Sequence, residues 1–176
     1  MNALLENTPS FELCFRPSAT LITVVRRFVE DFYLKVMDDH DVASRLALAT
    51  HELLENAAKY STDGEASLQV VARTETVHVR ATNRAAPAQI ELLRKCFDEI
   101  GSAPDAKELY SRMLKRTAVL ASGSGGLGLA RIWAESDMTI RLEVTGDRVV
   151  VYAEGPVAPS AIALAACASR LSGPTT

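Results

Sequence analysis

Two short stretches, HELLENAAKYS at 51–61 and GSGGLGLARI at 123–132, constrain this chain more than anything else in it. The first puts a carboxylate, Glu52, and an amide, Asn56, one turn apart in a helical pattern. The second, about seventy residues later, is a glycine-rich loop that runs straight into a segment reading as a helix start. A carboxylate and an amide oxygen one turn apart can meet a single ligand, and the unpaired amides of a helix start favour an anion. Taken together, the two stretches predict one site holding a divalent metal, phosphates and a general base.

The surrounding pattern supplies the elements. FELCFR at 11–16 alternates apolar and polar and reads as a strand. Pro17 and Ser18 open a helix whose apolar residues, Leu21, Val25, Phe28, Phe32 and Val36, recur at helical spacing to about Met37. Asp38, Asp39 and His40 break it, and Asp41 is the expected N-cap of a second helix reaching about Tyr60. Strands Ser67–Ala72 and Val77–Thr82 form a hairpin through 73–76. Pro87 starts a helix to Ile100, a break follows at 101–105, and another helix covers about 106–119. Leu127–Ala134 reads as a short helix, and Met138–Val144 with Arg148–Ala153 as a second hairpin about Thr145-Gly146-Asp147. Paired helices between hairpins predict an α+β, two-layer α/β sandwich, with a mixed, mostly antiparallel sheet and helices on one face. Residues 1–155 read as the domain, and 156–176 as a C-terminal tail with one short Ala-rich helix.

Composition excludes several classes. The 176 residues carry a net charge of −3, against a nucleic-acid backbone binder, which needs a basic surface. Cys14, Cys96 and Cys167 are odd in number and widely spaced, which fits reduced thiols in a cytoplasmic protein and offers no metal-ligand spacing. The first residues lack a basic signal region, and no apolar run approaches ~18 residues, so neither export nor a membrane span is expected.

On a helical wheel of 42–60, Ala43, Leu46, Thr50, Leu53, Leu54 and Ala57 share the side that would meet the sheet. Arg45, Glu52, Asn56 and Lys59 share the opposite arc. Any surface helix shows such a polar stripe, and Glu55 with Lys59 could be a routine i, i+4 ion pair. The chemical reading is that Asn56 ligates Mg²⁺, which takes few protein ligands plus phosphates, while Glu52 accepts a proton from a nucleophile. His51-Glu52 is not a zincin pair, because Glu55 stands where the second His would be needed. Nor does a phosphoacceptor Arg-x-Pro follow THEL, so His51 reads as a structural neighbour.

Gly123, Gly125, Gly126 and Gly128 allow close backbone approach, with Leu127 and Leu129 as anchors. A flexible linker would also be glycine-rich, yet few linkers lead at once into an amphipathic LGLARIWAE. No Gly-Lys-Ser/Thr follows, which excludes a Walker A loop, and the loop follows a helix, which excludes a dinucleotide-binding fingerprint.

ELLENAAKYS resembles the N-box of the histidine-kinase-like ATPase superfamily (GHKL, the Bergerat ATP-binding fold), Glu-x-x-x-Asn-Ala-x-Lys-Tyr-Ser, and GGLGLARI resembles its second glycine box. The resemblance covers about residues 12–154 and is nearest to the stand-alone anti-sigma-factor-type serine/threonine kinases of bacterial partner-switching modules. It implies the Bergerat fold and the cofactors ATP and Mg²⁺. It further implies Glu52 as general base, Asn56 as Mg²⁺ ligand, Lys59 near the phosphates, and Gly125, Gly126, Leu127 and Gly128 as their cradle. Asn83 stands where the family has its adenine-reading Asp, but the first glycine box there reads Asn83-Arg84-Ala85-Ala86-Pro87, without its glycines. Ser124 replaces the first Gly of the second box. The implied substrate is a small antagonist-like regulatory protein, with a cognate phosphatase in the same pathway; a homodimer is left open. The alternative is a catalytically degenerate module of this fold that regulates a partner by protein–protein binding. In such proteins the segment before the second glycine box is a lid, here 101–126 with Lys107, Arg112, Lys115 and Arg116.

Overall fold

The structure, a computed structural model, describes residues 10–16, 18–62, 64–73, 75–120 and 126–157. Among these the chain runs β1 (Ser10–Phe15), α1 (Ala19–Met37), α2 (His40–Tyr60), β2 (Ala66–Ala72), β3 (Thr76–Arg84), α3 (Pro87–Ser102), α4 (Ala106–Leu120), α5 (Leu127–Glu135), β4 (Thr139–Thr145) and β5 (Arg148–Pro156). The strands form one sheet in the order β1-β2-β3-β5-β4, antiparallel at every described pairing. Among the described residues no parallel pair contributes, so the sheet there is simpler than the mixed one that the sequence allows.

Alternation along the strands sets one buried face. Leu68, Val70 and Ala72 of β2 are paired with Ala81, Val79 and Val77 of β3, and Ala81 and Val79 with Val151 and Ala153 of β5. All are buried, and register puts them on one side of the sheet. The helices cover that side: α2 lies across β2 and β3, with α1 packed along it, while α3 and α5 reach β4. The result is a two-layer α/β sandwich.

Two helix ends were not legible as the pattern suggested. Asp39, not Asp41, caps α2: its carboxylate accepts from the amides of Asp41 (2.9 Å) and Val42 (3.1 Å). Asp38 ends α1 in the left-handed region at φ 51°, its amide donating to the Leu34 carbonyl. The two-residue link so formed shifts the cap from Asp41 back to Asp39. β5 runs to Pro156, one residue past the expected domain boundary, while the expected tail helix lies outside the described residues.

The region expected to be a lid begins as a packed helix. Leu109 and Met113 of α4 are fully buried, and Glu99 of α3 gathers Arg116 (3.3 and 3.2 Å) and Arg112 (3.8 Å) onto it. Two of the four cations of that segment thus answer a carboxylate on the neighbouring helix. No helix among the described residues is long and apolar enough to cross a membrane.

Candidate functional site

The helical wheel puts the Arg45–Glu52–Asn56–Lys59 side of α2 opposite the sheet, and the structure lays α5 over part of it. Glu52 is only 7% exposed. Its Oε1 accepts a 3.0 Å hydrogen bond from Arg131 Nη1, and Arg131 Nε donates to Glu135 Oε2 at 2.8 Å. Burial pushes the Glu52 carboxyl above its ordinary pKa, a rise that Glu55 reinforces. The Arg131 hydrogen bond and charge pull it back, with a smaller pull from His51.

Glycine makes this approach possible. A Cβ on Gly128 would overlap Glu52 Oε2 and stand 3.2 Å from its Cδ, so the α5 backbone rests directly on the carboxylate. Gly126 caps α5 at φ +101°, and a side chain there would run into Cys96 Sγ. That buried thiol is pushed up to about 11, mainly by desolvation. Both glycines therefore serve helix packing as well as any ligand. Leu127 between them is half-buried, and Gly125 lies outside the described residues.

Glu52, Asn56 and Lys59 from α2 and Gly126, Leu127 and Gly128 from the α5 start line a single open cleft of about 640 Å³. Asn56 stands one turn from Glu52, its buried Nδ2 finding no hydrogen-bond partner among the described residues. The Lys59 ammonium lies 5.3 Å from the Tyr60 ring centroid. The first turn of α5 has amides without intrahelical acceptors and carries the positive end of the helix dipole. A carboxamide, a carboxylate, an ammonium and these amides form a donor set suited to a hard cation and phosphates.

Asn83 is not brought to this cleft. It sits near the end of β3, where its Nδ2 donates to the Arg84 carbonyl at 3.1 Å. It shares with Asn56, Tyr60 and Leu93 a small cavity of about 20 Å³ that adjoins the cleft at Asn56 and Tyr60, and it also lines a wider open groove of about 510 Å³ beside Phe15 and Arg148. The small cavity takes about one water, since a water needs ~10–15 Å³. Arg45 is absent from the cleft too. Buried, it pairs with Asp41 (2.9 Å) and donates to the carbonyls of Pro156 (2.9 Å) and Val157 (3.0 Å), tying the end of β5 to α2.

Sequence reasoning missed Arg131, the residue that closes over Glu52. Its signal was within reach: in GLGLAR it stands three positions after Gly128, on the face of α5 that the glycine presses against α2.

No protein-family model matches the sequence, and no curated protein matches it. Among solved structures, the chain is similar to a chain of the SiaB–SiaC complex from Pseudomonas aeruginosa. The likeness has a TM-score of 0.60 at 15% identity and covers 84% of this chain and 89% of that one. At that identity, what the two share is the fold.

Proposed function

We propose that the cleft is a Mg-ATP site and that the chain is a regulatory protein serine/threonine kinase of a partner-switching type, acting in the cytoplasm on a small protein partner. The observation that carries this reading is the convergence of Glu52, Asn56 and Lys59 with the glycine start of α5 on one cleft. At about 640 Å³ its size suits a small-molecule site, usually ~300–1,000 Å³. Asn56 would hold Mg²⁺, which when bound would neutralise phosphate charge; the α5 amides and Lys59 would hold the phosphates. Glu52 would take the proton of a partner Ser or Thr hydroxyl at a carboxylate oxygen. Phosphoryl transfer asks mainly for positioning and charge neutralisation, which so sparse a set can supply. The similar solved structure is itself a two-protein complex, consistent with a protein partner here.

A second reading, a degenerate module that works by protein binding alone, is favoured by the Asn83 cavity. About 20 Å³ holds no purine, so adenine binding there requires side chains that line it to move. The test is transfer of labelled γ-phosphate from Mg-ATP into a bacterial protein extract. The kinase reading expects wild type to label a small acceptor on Ser or Thr and Glu52→Gln to lose that labelling by ~10²-fold or more. Equal labelling by the two proteins would contradict it.

A further inference from the structure

Arg131 is placed to serve two anions. Its side chain lines the cleft and is 40% exposed, and its guanidinium spends one nitrogen on Glu52 and another on Glu135. Glu52, by contrast, is fixed and buried, with the Gly128 backbone against its carboxylate. Of the pair, only the long arginine side chain has solvent into which to move. Held at Glu135 by its Nε, it can swing its terminal nitrogens between Glu52 and whatever occupies the cleft. Guanidinium is the side chain best matched to phosphate oxygens, through paired N–H donors.

We propose that Arg131 is shared between Glu52 and the terminal phosphate of a nucleoside triphosphate, so that the γ-phosphate draws Arg131 away and uncovers the Glu52 carboxylate for the acceptor hydroxyl. This rests on the nucleotide reading of the cleft and adds to it a positioning residue that senses the γ-phosphate. With Arg131 on Glu52, the carboxylate oxygen that would accept the proton is engaged. With Arg131 on the γ-phosphate, the acceptor oxygen bonds to phosphorus and its proton passes to Glu52. The bond from phosphorus to the β,γ-bridging oxygen breaks, and ADP leaves with that electron pair. A nucleoside diphosphate, lacking the third phosphate, leaves the Arg131–Glu52 pair closed.

The experiment is calorimetric titration of the full chain with Mg-ATP and, separately, Mg-ADP, in wild type, Arg131→Ala, Arg131→Lys, Glu52→Gln and the Glu52→Gln/Arg131→Ala double variant. Arg131→Ala should lower the preference for ATP over ADP by about tenfold or more, with Arg131→Lys restoring part of it. Glu52→Gln, which weakens the competitor for the guanidinium, should tighten ATP more than ADP. That tightening should vanish in the double variant. A merely structural Arg131 would shift both nucleotides alike. An unchanged ATP/ADP preference in Arg131→Ala would overturn the assignment while leaving the nucleotide site standing. So would a Glu52→Gln effect that persists without Arg131, since simple repulsion between carboxylate and phosphate would then explain it. Wild type that binds neither nucleotide would overturn the reading and this inference together.

Discussion

Gly128 stands where any side chain would collide with the carboxylate of Glu52. Glu52 is buried there and cannot swing aside into water. Gly128→Ala should therefore cost ~1–3 kcal/mol by overpacking, although alanine is the better helix former. Gly101 of α3 is the control: nothing lies within 4 Å of its would-be Cβ. Gly101→Ala should be neutral or stabilise by up to ~1 kcal/mol. Denaturant midpoints of the two variants decide the matter. Equal midpoints would mean that α5 does not rest on Glu52.

Glu52 should leave a mark on the pH dependence of stability. Its pKa in the fold lies above the ordinary 4.5, chiefly through burial. Between the two values the folded chain keeps a proton that the unfolded chain has released. The associated stability is thus fully present below about 4.5 and is lost as pH rises through the folded value. Glu52→Gln has no proton to release. As pH rises from about 4.5 through the folded value, the stability difference should accordingly move in favour of the Gln variant. Parallel profiles for the two proteins would place an ordinary carboxylate at this position.

The burial of Leu109 and Met113 predicts that α4 behaves as part of the core. Leu109→Ala should cost ~2–5 kcal/mol, the range for emptying a buried leucine site. Glu99→Ala, which releases Arg112 and Arg116 near the surface, should cost no more than ~1 kcal/mol. Amides around Leu109 and Met113 should exchange slowly without any ligand. Exchange there as fast as in exposed turns would restore the lid.

The layout of elements was largely legible, because apolar periodicity and turn chemistry are local. Strand alternation over 67–72 and 77–82, the Pro87 start and the helix start at Leu127 all reflect residues acting on their immediate neighbours. The convergence of Glu52, Asn56 and Lys59 could also be read, as residues three and four apart on a helix share a face. What the sequence hid came from partners far along the chain. The hydrogen bond from Arg131 to Glu52 spans 79 residues, and that from Arg45 to Pro156 spans 111. A wheel drawn for α2 alone shows Arg45 and Glu52 only as facing away from the sheet, since it contains neither α5 nor the end of β5. The Asp39 cap was hidden for a smaller reason: three consecutive polar residues, Asp39, His40 and Asp41, leave the helix start free to shift.

The central claim, that this cleft takes Mg-ATP, meets its most direct test in one calorimetric titration of the wild-type chain with ATP, run with Mg²⁺ and again with a chelator, beside Asn56→Ala. The account predicts a single site that needs Mg²⁺ and loses its Mg²⁺-dependent part in Asn56→Ala, with the thermal melt of that variant nearly unchanged. No binding by wild type, or binding indifferent to both Mg²⁺ and Asn56, would contradict it.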